Sequence, residues 1–220
     1  MLTDSLKTIL FATLRPARFF ENERPVDQLL TWTVYGLGAL LIGGTVILFA
    51  TALIHMQEIM RAQEAITAYY TQTGQIPLYE DPSPWKFLGF PVLWVILFAI
   101  TAGLRHGAMA VFGDESRNFL TMLAITGLAY TPLVLIAIFH GLVNNLFPFA
   151  SAVENSLEIF YRSVAIMLVT LMGMILEARI AVRAFQEVFG QNKGRAVLTW
   201  FTPWLCMIVL YAFFRFFGGN

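Results

Sequence analysis

Five long apolar runs, separated by short polar segments, set the pattern of this chain. The first, Leu29 to Ile54, has 26 residues without a formal charge, more than the roughly 20 a helix needs to cross a ~30 Å hydrocarbon core. Similar runs predict spans over about 87–112, 119–139, 159–184 and 196–214. The fourth is unusual: only 14 uncharged residues separate Arg162 from Glu177, about 21 Å of helix at 1.5 Å per residue. One of those charges must therefore sit at the membrane edge or inside it. The pattern predicts an all-α polytopic membrane protein, a five-transmembrane-helix bundle over 29–214.

The second and third runs form a hairpin whose polar turn is Gly113-Asp114-Glu115-Ser116. Asp114 or Ser116 is the expected N-cap of the third helix. Pro132 removes the hydrogen bond to the Leu128 carbonyl and should bend that helix, and Pro203 should do the same in the last one. Small residues at helical spacing mark two close-packing stripes, Gly36, Ala39 and Gly43 in the first span and Ala99, Gly103 and Gly107 in the second. They serve packing within one chain or self-association.

Residues 1–28 form an N-terminal segment of their own. Leu2, Leu6, Ile9, Leu10 and Leu14 recur at helical spacing, charges interrupt any signal-peptide core, and Pro16 stops the helix near Arg15. Two placements fit: an amphipathic helix in the membrane interface anchored by Arg15, Arg18, Phe19 and Phe20, or a helix packed on the cytoplasmic ends of the bundle. Residues 55–86 are expected as an outer loop into which the first helix extends, Gly74, Pro77, Pro82 and Pro84 imposing irregular chain and Trp85-Lys86 marking return to the membrane. His140 to Glu158 is expected as a second loop.

Composition agrees. The chain is 58% hydrophobic and 13% charged, against roughly 45–50% and about 25% in soluble domains. Zero net charge carries no signal for nucleic acid, and the single Cys206 reads as packing. Charge placement adds orientation. With the amino terminus inside, ten Lys and Arg fall on inner segments and four on outer ones, so the positive-inside rule puts the amino terminus in the cytoplasm and the carboxyl terminus outside.

Chemistry is sparse. No phosphate-binding glycine loop, zinc motif or cysteine pair occurs. His55 and His140, with Glu58 or Glu154, outline a conceivable two-histidine metal site without fixing any distance, so neither metal nor cofactor is expected. Glu177 is the sharpest residue, because an ionisable group at membrane depth is a functional candidate. Its partner is expected on another helix, with Arg105 and Arg117 the best placed. It serves either as a coupling-ion site beside the Pro132 and Pro203 kinks or as a tie between inner helix ends.

The hairpin also carries a resemblance. Phe112-Gly113, then Gly127-Leu128-Ala129-Tyr130-Thr131-Pro132, together with Arg15-Pro16-Ala17-Arg18-Phe19-Phe20 and Arg195-Ala196, resemble the Yip family of Ypt/Rab-interacting membrane proteins. The resemblance implies five helices and a cytoplasmic amino terminus, with a role in membrane shape or partner recruitment rather than catalysis. The long amino-terminal region and the Asp-Leu-Tyr-Gly-Pro motif of eukaryotic members are not seen, which points to a prokaryotic-type member in the plasma or inner membrane; a eukaryotic origin would point to Golgi or ER. Expected partners are the lipid bilayer and other membrane proteins or a second copy. A small transporter or transport subunit using Glu177 is the alternative.

Overall fold

The architecture is that of a computed structural model, which describes residues 2–22, 28–54, 56–73, 89–114, 116–147 and 156–217. Among them all regular structure is helical: α1 (Leu2–Leu14), α2 (Pro16–Asn22), α3 (Leu29–Leu41), a π-helical segment (Ile42–Ile47), α4 (Leu48–Ile54), α5 (Met56–Thr73), α6 (Phe90–Val111), α7 (Phe119–Tyr130), α8 (Leu133–Leu146), α9 (Ser156–Phe189) and α10 (Lys193–Phe217). Five stretches are long and apolar enough to cross a membrane: Leu29–Thr51, Phe90–Val111, Phe119–Leu146, Leu157–Phe189 and Lys193–Phe216. The protein is an all-α, multi-pass membrane bundle. Large side chains such as Val92, Ile96, Ile100, Leu205 and Ile208 stand exposed, a surface that lipid solvates and water would drive to associate. The third span is the most buried of the five, with 56% of its most apolar window buried against 6% and 11% for the fourth and fifth.

The chain groups into two compact units, one of Met1–Gly38, Val95–Pro132 and Met174–Asn220, the other of Ala39–Trp94 and Leu133–Gly173. In the first, a core of Phe19, Phe20, Trp32, Met109, Met122, Ile125, Leu128, Ile180 and Phe185 is interleaved with alanines of α6, α7 and α9. Small residues bring backbones together here: a methyl on Gly36 would land on the Gly127 backbone, and one on Gly127 would meet the Trp32 carbonyl. Pro16 opens α2 at a position where a missing amide donor is harmless, and the Arg15 carbonyl accepts the first bond of that turn from Phe19 (3.1 Å).

Helix ends in this unit are built by identifiable residues. Gly113 closes α6 with φ +74°, and the amides of Gly113 and Asp114 return to the carbonyls of Ala110 and Met109, the paired bonds of a Schellman stop. The N-cap of α7 is Asn118, whose Oδ1 accepts from the amides of Leu120 (2.9 Å) and Thr121 (3.3 Å). Neither Asp114 nor Ser116 fills that role, because α7 starts later, at Phe119. Asn118→Ala should cost about 1 kcal/mol of stability, read as a lowered thermal midpoint of the detergent-solubilised protein. At the next break the Leu128 carbonyl, which Pro132 cannot serve, accepts instead from the Thr131 amide (3.2 Å) and hydroxyl (2.8 Å). The third span is thus interrupted between Tyr130 and Leu133 with the Leu128 carbonyl still satisfied. Pro203, in contrast, lies inside the continuous α10.

In the second unit the π-helical segment carries Gly43 and Gly44. The Trp94 indole lies on Gly44 and its Nε1 donates to the Gly44 carbonyl (2.9 Å), so the widened turn gains an acceptor contact that a regular helix would have kept internal. Gly43 faces the Leu133 carbonyl and Ala137, and Gly173 faces Ile136. The loop expected from His140 begins later, since α8 runs to Leu146. Its polar residues are met by neighbours: His140 Nε2 lies 3.3 Å from the Thr170 hydroxyl and Asn144 Oδ1 accepts from Arg162 (3.0 Å). Part of the expected outer loop is also helix, as α5. His55, Gly74, Pro77, Glu80, Asp81, Pro82, Pro84, Trp85, Lys86, Pro148 and Glu154 lie outside the described residues.

A buried arginine-glutamate pair as candidate functional site

Buried charge inside the first unit lies on two helices, α6 and α9, with uncharged polar partners on α7. On α6, Phe98, Ala102, Arg105 and Met109 share one buried face, a spacing of four, three and four residues that keeps them on one stripe. Arg105 is fully buried and Glu177, on α9, is 8% exposed. They meet directly, Arg105 Nη2 donating to Glu177 Oε1. Arg105 Nη1 also donates to the Thr126 hydroxyl on α7 (3.3 Å), and its guanidinium carbon lies 5.9 Å from the centre of the Tyr130 ring. Tyr130 rests edge-on against Phe98, 6.0 Å between centroids. Arg105 Nε is buried without an acceptor among the described residues.

A guanidinium and a carboxylate removed from water each carry a solvation cost of several kcal/mol, offset only when they are paired and their remaining donors and acceptors are met. Here pairing, a hydroxyl acceptor and an aromatic face supply most of that compensation. The pair holds α6 to α9 while Thr126 and Tyr130, four residues apart on α7, bring in the third helix. A second polar bridge joins the helix ends of the same unit. Gln191 Nε2 donates to Asp114 Oδ2, and Gln191 Oε1 accepts from the Thr199 hydroxyl (3.2 Å). Gly190, at φ +67°, makes the turn that points Gln191 inward.

The other residues singled out in the sequence fall as follows. Arg117 does not reach Glu177; it is exposed and donates to the Asp114 carbonyl (3.1 Å) within its own turn. Gly36, Ala39 and Gly43 are buried, whereas Ala99, Gly103 and Gly107 form an exposed face of α6, and a methyl at Gly103 or Gly107 would meet nothing within 4 Å. Arg15 and Arg18 are exposed. Phe19 and Phe20 do not anchor in lipid: they are 1% and 6% exposed, their rings 5.4 and 5.8 Å from that of Trp32. No group of three His, Cys, Asp or Glu side chains suited to a metal gathers among the described residues. Sequence reading missed Thr126, Tyr130, Gln191 and Thr199. The available signal was that Thr126 and Tyr130 are polar positions at helical spacing in an otherwise apolar run.

The sequence model of the Yip1 domain matches residues 11–214. The chain belongs to the Yip1-domain family. No curated protein and no solved structure matches it. The Yip1 match takes in every residue of the buried cluster, the Gly36–Gly127 crossing, the first four candidate spans and the fifth as far as Phe214, leaving out the first ten residues of the chain and the residues after Phe214. A multi-pass membrane protein of the Yip type is therefore what this sequence encodes.

Proposed function

We propose that this Yip1-domain protein is a non-catalytic membrane organiser that holds partner proteins, a second copy or lipids in place. One observation carries the reading: the strongest buried charges are spent on each other. Arg105 and Glu177 form a closed pair with Thr126 and Tyr130 around it, an arrangement that ties helices together and leaves neither charge free to attack or shuttle. The exposed Ala99, Gly103 and Gly107 face of α6 supports the association side, because small residues let a second helix approach closely. The charge count supports a cytoplasmic amino terminus and an outer carboxyl terminus, and the resemblance to prokaryotic-type members supports an inner- or plasma-membrane placement.

The helix break at Thr131-Pro132, next to Tyr130, favours a second reading as a small transporter or transport subunit, since interrupted helices often build transport sites. Purification in native lipid, crosslinking through cysteines placed at Gly103 and Gly107, and solute or proton flux in liposomes separate the two. The organiser reading expects a defined intermolecular or partner crosslink and no flux. Ion-linked flux lost in Glu177→Gln, with expression unchanged, would replace it with the transporter reading.

A further inference from the structure

A cavity of about 700 Å³ opens where the α1–α2 junction meets α9. Arg15 and Arg18 line it from the junction, Arg179 and Arg183 from α9, with Leu14 and Val182 supplying apolar floor. Four arginines line this space and no acidic residue does. Among the described residues, Arg183 is the one of the four with ion-pair partners, Glu187 at 2.8 Å and Glu21 at 4.0 Å. Arg179 reaches only the Leu14 carbonyl (3.5 Å), and Arg15, Arg18 and Arg179 have no ion pair among the described residues. Arg183 Nε is buried and lacks an acceptor.

Such a concentration of cations is unfavourable unless something anionic answers it. We infer that the groove binds a phosphate-bearing ligand, through the four arginines of α1–α2 and α9. Arginine suits this chemistry because its planar fork donates two parallel bonds to phosphate oxygens. The groove is open, and its volume lies within the usual range of small-molecule sites, roughly 300–1,000 Å³, so it has room for a headgroup. Arg179 and Arg183, four apart, share a face of α9, while Arg15 lies in the break between α1 and α2 and Arg18 in the first turn of α2. Exposed apolar neighbours, Leu10 and Leu14 on α1, give acyl chains a surface beside the groove. The inference stands apart from the organiser reading, since it holds whether or not a partner protein is found.

The phosphate group can come from a lipid headgroup or from a soluble compound, and one experiment distinguishes them. The full chain in neutral detergent is offered equal phosphatidylglycerol and phosphatidylcholine and examined by native mass spectrometry, with inorganic phosphate titrated calorimetrically in parallel. Retention of phosphatidylglycerol over phosphatidylcholine is expected, dropping on the order of tenfold in Arg15→Gln/Arg18→Gln, as each cation near an anionic headgroup contributes a several-fold factor. Arg179→Gln, also exposed, should weaken it separately, whereas Lys193→Gln/Arg195→Gln, on α10 and outside the groove, should not. Unchanged thermal midpoints in these variants exclude unfolding as the cause. Saturable phosphate binding lost in the same variants, without lipid preference, would assign the site to a soluble ligand. No binding of either probe, or a preference indifferent to all groove variants, overturns the inference.

Discussion

Arg105→Leu should leave little stably folded protein. The substitution strands the Glu177 carboxylate, 8% exposed, against the apolar surface of α6 and α7. Removing one partner of a buried ion pair costs about 3–5 kcal/mol, a large share of the 5–15 kcal/mol by which folded proteins typically exceed their unfolded states. Glu177→Leu should be as damaging for the mirror reason, because it leaves a guanidinium whose Nε already lacks an acceptor. The double variant Arg105→Leu/Glu177→Leu should recover most of the loss, since exchanging both charges for apolar groups removes the desolvation cost together with the attraction. Thermal unfolding in detergent, with monodispersity on gel filtration, reads all three. If the double variant is as unstable as the singles, the charge pair is not what those positions supply.

The cluster also separates charge from shape. Glu177→Gln keeps an acceptor for Arg105 Nη2 while discarding the negative charge, so its stability should fall between the wild type and Glu177→Leu. Arg105→Lys keeps the charge but loses the fork that reaches Glu177 and Thr126 together, so it should not rescue fully.

How far such features were legible varies with the physics behind them. The five spans were readable because membrane solvent imposes a length and an apolarity that no tertiary contact needs to supplement. The ends of those spans were harder. His140 and Asn144 look like loop residues until Thr170 and Arg162 are seen to meet them, and partners on another helix leave no trace in local pattern. The π-helical segment at Ile42–Ile47 is uniformly apolar apart from Thr45, so no periodicity announces it; the Trp94 indole on Gly44 does. Asn118 rather than Asp114 caps α7 because the helix starts only at Phe119, while Asp114 accepts from Gln191, 77 residues later in the chain. Of the two placements open to the segment around Arg18, the lipid anchor fails for its aromatic pair for a related reason. An Arg-Phe-Phe run suits a lipid interface, but a buried Trp32 offers those rings a better surface. Of the two small-residue stripes, both were visible as sequence, and only the structure distinguishes a glycine pressed on backbone from one facing outward.

That distinction sets up a sharp contrast between glycines of equal appearance. Gly127→Ala and Gly36→Ala should each destabilise the protein by at least the 1–3 kcal/mol typical of an overpacked core, because the obstruction is main chain rather than the tip of a side chain. At Gly36 the new methyl meets the Gly127 backbone, and at Gly127 it meets the Trp32 carbonyl and the Thr33 Cα. No rotamer change relieves either clash, so α3 and α7 would have to move apart, loosening Trp32 from Phe19 and Phe20. Gly103→Ala and Gly107→Ala meet open space and remove the entropic penalty of glycine in a helix, worth up to about 1 kcal/mol each. They should be neutral or stabilising in the isolated monomer. Thermal midpoints in detergent for the four variants test the ordering, and the same measurement across protein concentrations adds a second reading. A Gly103→Ala midpoint that falls only at high concentration would locate a second copy of the chain on the open face of α6, whereas equal losses at all four glycines would mean that the Gly36–Gly127 crossing is no tighter than the exposed stripe.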